Sequence, residues 1–150
     1  MELNIEIPRK ISLAYGAACK GLCRELDLPQ TAFDILMFLG NNPAYKTASE
    51  IVELRHIKAN LISVHVERLV QEGYLIRRPS PTDRRKTELF CTEKALPVIR
   101  RGRQLQADFL EKVALEAPCQ LRTVQDYYES WPMLIDVIYE NDSFRWRMRT

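Results

Sequence analysis

One continuous stretch, from Thr47 to Ala95, constrains the fold of this chain more than any other feature. Residues 58–72 space their apolar side chains as an amphipathic helix does. Two short segments of alternating polarity follow, over 74–79 and 87–92. The residues between them form a turn-prone cluster, Ser80-Pro81-Thr82-Asp83-Arg84-Arg85-Lys86. The pattern predicts a helix followed directly by a β-hairpin with a cationic tip.

The other predicted elements are all helices, so the fold class is mainly α with a small β-hairpin wing (α+β). The first of these helices covers residues 8–26, and the second has Pro29 in its first turn and is stopped by residues 40–43. A short third helix begins at the capping box of Thr47 and Glu50. After the hairpin come a long helix, capped by Thr92 and ended by Pro118, and a last helical region over 120–140. A helix shaped for the major groove with a basic hairpin beside it is a winged helix-turn-helix, which indicates DNA binding.

Length and composition fit a single domain over 1–150. The chain is 46% hydrophobic, which is enough for a core, and it has no apolar run long enough to cross a membrane. Its start lacks the basic and apolar regions of a signal peptide, so we expect a cytoplasmic protein. The four cysteines, at positions 19, 23, 91 and 119, form no zinc-finger spacing and are expected to be reduced thiols.

The charge of the chain is unevenly distributed. Residues 41–104 hold 13 lysines and arginines against 7 aspartates and glutamates, a net charge of +6. Residues 105–142 hold 2 against 8, a net charge of −6, although the whole chain carries only +2. A basic excess centred on the predicted hairpin indicates a surface that binds phosphates. Ordinary solvated charges would have no reason to be concentrated at the hairpin.

Candidate DNA contacts on the helix lie opposite its apolar side, which carries Ile62, Val66 and Leu69. Asn60 suits an adenine edge, Ser63 a base or phosphate, and Val64 a thymine methyl group. An exposed valine is common on any protein, so this strip gains weight mainly from the hairpin after it. The predicted contacts of the recognition helix are Lys58, Asn60, Ser63, Val64, Glu67 and Arg68.

At the hairpin tip, Asp83 is expected to bond to the turn backbone or a neighbouring arginine. Such a turn would direct one guanidinium, of Arg84 or Arg85, towards a narrow minor groove. Arg77, Arg78 and Lys86 suit phosphate contacts along the ribbon. The predicted contacts of the wing are Arg77, Arg78, Asp83, Arg84, Arg85 and Lys86. A solvated basic turn is the plain alternative.

These segments resemble those of bacterial MarR-family transcriptional regulators. The resemblance is carried by 79–85 with its Asp-x-Arg core, by Thr92-Glu93-Lys94, by 47–51 and by 66–75. It implies a homodimeric winged helix-turn-helix regulator with a DNA-binding lobe over about 28–95 and dimerisation helices over about 8–26 and 93–140. Repression is the commoner mode of the family, and release of DNA by a small aromatic or anionic effector, or by oxidation, is frequent in it.

Several positions depart from the family pattern. His56 stands where glycine is usual in the turn between the third and fourth helices, and Lys58 stands where a serine or aspartate commonly caps the fourth. Val64 replaces a residue that is often arginine, and Ala95 replaces a glycine. These departures leave the fold in place, but they prevent a prediction of the operator sequence.

A dimer interface is also expected from the residues themselves. An apolar stripe at helical spacing, of Ile11, Tyr15, Ala18, Leu22 and Leu26, and an aromatic-rich tail would leave a large exposed patch on a monomer. By analogy of fold, an effector pocket would use Tyr15, Arg24 and Trp131. Cys19 and Cys23, one turn apart and off the centre of the stripe, are candidates for oxidation, although buried small thiols are commonly inert.

Other classes of function find less support. There is no glycine-rich phosphate loop, nucleophile elbow or acid–base pair, so we expect no enzyme and no cofactor. His56 and His65 lack a clustered carboxylate or thiol, so no metal site is expected. The serious alternatives are a winged helix that binds another protein instead of DNA, and a regulator that senses oxidation through its thiols.

Overall fold

The structure, a computed structural model, describes residues 6–116, with side-chain burial over 13–112. Two compact units are present: residues 31–103 form one, and the other unit contains the described segments 6–30 and 104–116. The elements in chain order are α1 (Glu6–Leu26), α2 (Gln30–Asn41), α3 (Ala48–Arg55), α4 (Ala59–Gln71), β1 (Leu75–Pro79), β2 (Thr87–Cys91) and α5 (Ala95–Glu116). The predicted class, mainly α with one hairpin, is confirmed, while the helical region predicted over 120–140 lies outside the described residues.

Helix α2 forms the centre of the first unit. Residues 32–33 and 35–39 are all buried, so the helix is apolar on nearly every side, as a helix surrounded by other elements must be. The predicted inward positions of α2 and α4 are confirmed. Buried apolar side chains from the other elements complete this core: Ile51, Ile62, Val66, Leu69, Leu75, Leu89, Val98 and Ile99.

Helix α3 begins at the capping box that the sequence predicts. The Thr47 hydroxyl accepts a hydrogen bond from the Glu50 amide at 3.2 Å, and the Glu50 carboxylate accepts one from the Thr47 amide at 3.2 Å. The helix ends at His56, whose φ of 54° and ψ of 34° are left-handed. His56 therefore adopts the conformation for which glycine is usual, at some cost in backbone strain.

Helix α4 begins without such support. Lys58 is its N-cap residue and makes no side-chain capping bond, as expected from its type. The helix gives way to the hairpin at Gly73, whose φ is 85°. Glycine adopts a positive φ more easily than any other residue, so Gly73 allows the chain to turn from α4 into β1.

The hairpin is antiparallel, and its register pairs Leu75 with Cys91 and Pro79 with Thr87. A third segment of chain joins it. The Leu89 amide donates to the Lys46 carbonyl at 2.7 Å, and Thr47 and Glu88 form an isolated bridge. The residues just before α3 therefore tie the hairpin to the helix-turn-helix, which fixes the direction of the hairpin relative to α4.

The predicted cap of the long helix is wrong in one respect. Thr92 does not cap it through its side chain, because the hydroxyl donates to the Gly73 carbonyl at 2.6 Å instead. A turn over 93–94 precedes the helix, which starts at Ala95 and has 22 residues, close to the predicted length. Thr92 thus joins the two ends of the hairpin, where the Thr92 amide also donates to the Tyr74 carbonyl.

In the second unit, the apolar stripe of α1 differs from the prediction. Cys19 and Cys23 lie on the buried face with Tyr15 and Leu22, whereas Ala18 is exposed. The buried face is therefore rotated towards the cysteines, because the small thiols pack as apolar groups. Among the described helices, none is long and apolar enough to span a membrane.

Candidate nucleic-acid interface

The outer face of α4 presents the side chains predicted to contact bases. Asn60, Ser63 and Val64 are all exposed, Val64 to 64%, and we call these three residues the recognition face. Asn60 already bonds locally, since its side-chain oxygen accepts from the Leu61 amide at 3.0 Å. On binding an adenine edge, the Asn60 side chain would exchange this local hydrogen bond for two hydrogen bonds to the base. Its side-chain nitrogen can donate a hydrogen bond with or without DNA.

The charged side chains of α4 are paired. Arg68 meets Glu72 at 2.9 Å, and Glu67 accepts a bond of 2.7 Å from Arg77 on β1. Both pairs are substantially exposed, so each contributes little to stability. The Glu67–Arg77 pair joins α4 to the hairpin and so helps to position the two elements. It also leaves Arg77 less available for a phosphate contact than the sequence predicted. Lys58, at the start of the helix, is exposed.

The hairpin loop is organised by Ser80 and Asp83. The Asp83 carboxylate accepts from the Arg85 amide at 3.0 Å, so Asp83 bonds to the turn backbone, one of the two roles expected for it. Ser80 is buried; its amide donates to the Lys86 carbonyl at 3.0 Å, and its hydroxyl is an acceptor for the Thr82 and Asp83 amides at 3.4 Å each. The sequence did not predict this role of Ser80, for which the only signal was a serine beside a proline in a turn.

The loop holds three cationic side chains in solvent. Arg84, Arg85 and Lys86 are exposed, and in the part of the chain that the structure describes none of them forms an ion pair. We call these three residues the wing tip. Arg78 lies further back, where its guanidinium stacks over the Phe90 ring at 5.4 Å. Free guanidinium and ammonium groups on an ordered turn suit phosphate or minor-groove contacts.

The residues predicted for an effector pocket are placed differently from one another. Tyr15 is only 2% exposed, and its hydroxyl oxygen lies 3.0 Å from the Gln106 amide nitrogen as acceptor. Its ring packs edge-on against Phe109 at 5.4 Å. Arg24 is exposed in the last turn of α1, and Trp131 lies outside the described residues. A pocket formed by these three residues therefore stays a prediction.

The candidate redox thiols are shielded. Cys19 is fully buried and Cys23 is 8% exposed, so an oxidant has little access to either sulfur in this state. In Cys91, burial raises the pKa of the thiol to about 11, with Arg103 acting in the opposite direction. Among the residues described, no group of three or more histidines, cysteines, aspartates or glutamates is placed to hold a metal.

Three comparisons with known proteins bear on this geometry. Residues 26–86, which contain the helix-turn-helix and most of the hairpin, match the MarR family model. No curated protein sequence matches the chain significantly.

Solved structures share the fold. A transcriptional regulator from Thermotoga maritima superposes with a TM-score of 0.56 at 24% identity, over 91% of this chain and 96% of that one. A mutant of MarR from E. coli complexed with operator DNA superposes with a TM-score of 0.63 at 17% identity, over 82% of this chain and 88% of that one. The MepR–DNA complex from S. aureus superposes with a TM-score of 0.56 at 13% identity, over 86% of this chain and 96% of that one.

These findings confirm the resemblance that the sequence carries, and they show the fold of winged-helix regulators of transcription. The recognition helix, the hairpin and the bonds that join them all fall within or beside the matched segment. Residues 26–86 of this chain are similar to the MarR family of transcriptional regulators, and the chain shares the fold of solved MarR structures.

Proposed function

We propose that the chain is a cytoplasmic homodimeric repressor that binds a palindromic operator in double-stranded DNA. One observation carries the proposal: the recognition face is exposed on α4, and the adjacent wing tip holds three exposed cations without ion pairs in the described chain. The two surfaces are parts of one unit that is joined by the Glu67–Arg77 pair and by the bond from Leu89 to Lys46. A major-groove contact and a backbone or minor-groove contact can thus be made at one time.

The DNA complexes of two structural relatives support this proposal. Those relatives are the E. coli MarR mutant on operator DNA and the S. aureus MepR–DNA complex, and both share the fold of this chain. Their identity to the chain is low, so the proposal depends on the side chains present here. Asn60 and Ser63 supply hydrogen-bonding groups, and Arg84 and Arg85 supply the positive charge that phosphates attract.

Dimerisation is the second part of the proposal. One face of α1 exposes Leu13, to 66%, together with a run of small residues, Ala14, Ala17, Ala18 and Gly21. Small side chains allow another helix to approach closely, and an exposed leucine favours a covering partner. A two-fold dimer would present two copies of α4 to half-sites about 34–36 Å apart, which corresponds to a palindrome.

Control by an effector completes the proposal and rests on the family pattern alone. We expect binding of a small aromatic or anionic molecule to release the DNA, since this mode is frequent among regulators of this family. The burial of Cys19 and Cys23 makes oxidation a less favoured signal.

The test is selection from random double-stranded DNA with reduced, full-length protein, followed by sequencing of the bound pool. Light scattering on the same sample gives the mass in solution, and the proposal requires twice the 17.5 kDa of one chain. An enriched palindrome with half-sites one helical turn apart would support the proposal. A monomer, or no enrichment at low salt, would instead support a winged helix that binds protein.

A further inference from the structure

The turn between α4 and β1 ends the recognition helix in a Schellman motif. The Gly73 amide donates to the Val70 carbonyl at 3.1 Å, and the Tyr74 amide donates to the Leu69 carbonyl at 2.9 Å. These bonds use the amides of the turn and fix the chain as far as Tyr74. The carbonyls of Glu72, Gly73 and Tyr74 lie past the end of the helix, where no later helical amide can bond to them. A bond to these carbonyls must therefore come from another segment, and it affects the direction in which the hairpin leaves the helix.

All three carbonyls accept hydrogen bonds from two residues that precede α5. The Lys94 ammonium donates to the Glu72 carbonyl at 2.6 Å. The Thr92 hydroxyl donates to the Gly73 carbonyl at 2.6 Å, and the Thr92 amide donates to the Tyr74 carbonyl at 3.0 Å. We call Thr92 and Lys94 the wing anchor. Because the wing anchor bonds to three successive peptide groups, it holds both ends of the hairpin to the end of α4.

Lys94 makes a further contact at this joint. Its ammonium lies 4.4 Å from the centre of the Tyr74 ring, which is half-buried. The side chain passes over Gly73, where an added β-carbon would lie 3.9 Å from Lys94 Cδ. A cation is favoured at this end of α4, because the helix macrodipole is negative at its C-terminus. One ammonium group thus contacts both the end of the recognition helix and the residue that leads into β1.

Two other polar links between the hairpin and the helix-turn-helix lie elsewhere. Arg77 meets Glu67 at 2.7 Å, but the two side chains are 40% and 51% exposed, so solvent screens the pair. The Leu89 amide bonds to the Lys46 carbonyl, which ties β2 to the segment before α3 and not to α4. The wing anchor, in contrast, acts at the joint between the recognition helix and the hairpin.

We infer that Thr92 and Lys94 are positioning residues for DNA binding, which hold the hairpin at the angle to α4 at which the wing tip and the recognition face meet one duplex. This inference rests on the proposed function. A hairpin that moved freely would have to be ordered on binding, and that ordering costs affinity. Loss of the wing anchor therefore weakens the contacts of Arg84 and Arg85, although neither arginine is altered.

The angle of the hairpin is measured first, on full-length protein without DNA. Lys94→Met keeps the length of the side chain and removes its donors. Residual dipolar couplings of backbone amides report the direction of β1 and β2 relative to α4. In Lys94→Met the couplings of the hairpin should fall in magnitude while those of α4 are unchanged, and Lys94→Arg, which keeps a cationic donor, should retain both sets. Unchanged couplings of the hairpin in Lys94→Met would overturn the inference, whether or not the protein binds DNA.

Fluorescence anisotropy with a labelled duplex then distinguishes positioning from direct contact. Lys94→Met should weaken binding about three- to tenfold in the otherwise unaltered chain. When Arg84 and Arg85 are already alanine, the same change should weaken binding less than about twofold, because the wing anchor acts through them. Equal weakening in both backgrounds would mean that Lys94 itself contacts phosphate, which would overturn the inference. A lower melting temperature with full affinity of the folded protein would also overturn it, because the role would then be structural alone.

Two further variants complete the comparison. Thr92→Val removes the hydroxyl donor and keeps the shape of the side chain, so it should also weaken binding only when the wing arginines are present. Arg100→Met removes one exposed positive charge from the same unit, away from the wing anchor, and should leave the affinity unchanged. Failure of the unaltered protein to bind any duplex would refute the proposed function. Binding by the unaltered protein, with no loss in either wing-anchor variant, would refute this inference alone.

Discussion

The recognition face and the wing tip belong to one unit, yet their chemistry differs. Around the recognition face of α4, Arg68 is paired with Glu72 and Glu67 with Arg77, and the free groups are an amide, a hydroxyl and a valine. At the wing tip, Arg84, Arg85 and Lys86 extend from an ordered turn without ion pairs in the described chain. A surface without free charge gains little binding energy from contact with phosphates. Unpaired cations bind phosphates well, but phosphate contacts do not distinguish one DNA sequence from another. We therefore expect the helix to determine which DNA is bound and the wing to determine how tightly.

The largest effect is expected from the wing. Replacing Arg84 and Arg85 together by alanine should weaken binding to operator and unrelated duplexes alike by at least about tenfold. The slope of log affinity against log salt should fall by roughly 2, since two phosphate contacts are lost. Fluorescence anisotropy at several salt concentrations measures both quantities. The Arg84→Lys/Arg85→Lys variant keeps the charge and should retain the slope, and a slope unchanged in the alanine variant would contradict the assignment.

A second effect is expected from the helix. Asn60→Ala should remove discrimination worth about 1–3 kcal/mol at one base pair of each half-site, because an amide pairs with an adenine edge through two bonds. Sequencing of the DNA selected by this variant measures the change. Gln71→Ala, on the last turn of the same helix, is the control and should keep the preferred site. A selected site identical to that of the unaltered protein would show that Asn60 does not read bases.

The wing loop should respond to loss of its internal bond. Asp83→Ala removes the acceptor for the Arg85 amide at 3.0 Å, and a bond of this kind contributes about 0.5–1.5 kcal/mol. We expect affinity to fall by that amount for all sequences, because the arginines must then be ordered on binding. Asp83→Asn keeps an oxygen acceptor and should preserve most of the affinity. If both variants bind DNA equally weakly, the affinity depends on the charge of Asp83 and not on its hydrogen bond within the turn.

The smallest effect should be a gain in affinity. Glu67→Gln releases Arg77 from its ion pair and removes a negative charge from α4, so affinity for any duplex should rise a fewfold and the salt slope by up to about 1. Glu93→Gln removes an exposed negative charge of the same unit without releasing an arginine, and it serves as the matched control. Titrations at two salt concentrations distinguish the variants. An unchanged slope in Glu67→Gln would mean that Arg77 contacts no phosphate even when free.

Local interactions explain what the sequence predicted well. The capping box of Thr47 and Glu50, the left-handed turn at His56 and the hairpin all depend on residues close in the chain. The buried side of α4 follows from helical spacing. These features could be predicted because propensity and periodicity act over one or two turns of chain.

Contacts between distant residues could not be predicted in this way. The bond from Leu89 to Lys46 and the Glu67–Arg77 pair join elements whose relative placement no local pattern specifies. Thr92 could cap a helix by its type, but the hydroxyl meets the Gly73 carbonyl once the hairpin has closed.

The most direct test of the division between helix and wing is the ratio of two affinities. The protein, Asn60→Ala and Arg85→Ala are each titrated with the selected operator and with a scrambled duplex of the same length and composition, at fixed salt. Arg85→Ala should weaken both duplexes by a similar factor, about 1–3 kcal/mol, and leave the ratio unchanged. Asn60→Ala should lower only the affinity for the operator, which brings the ratio towards one. A ratio that falls in Arg85→Ala and is unchanged in Asn60→Ala would contradict this division.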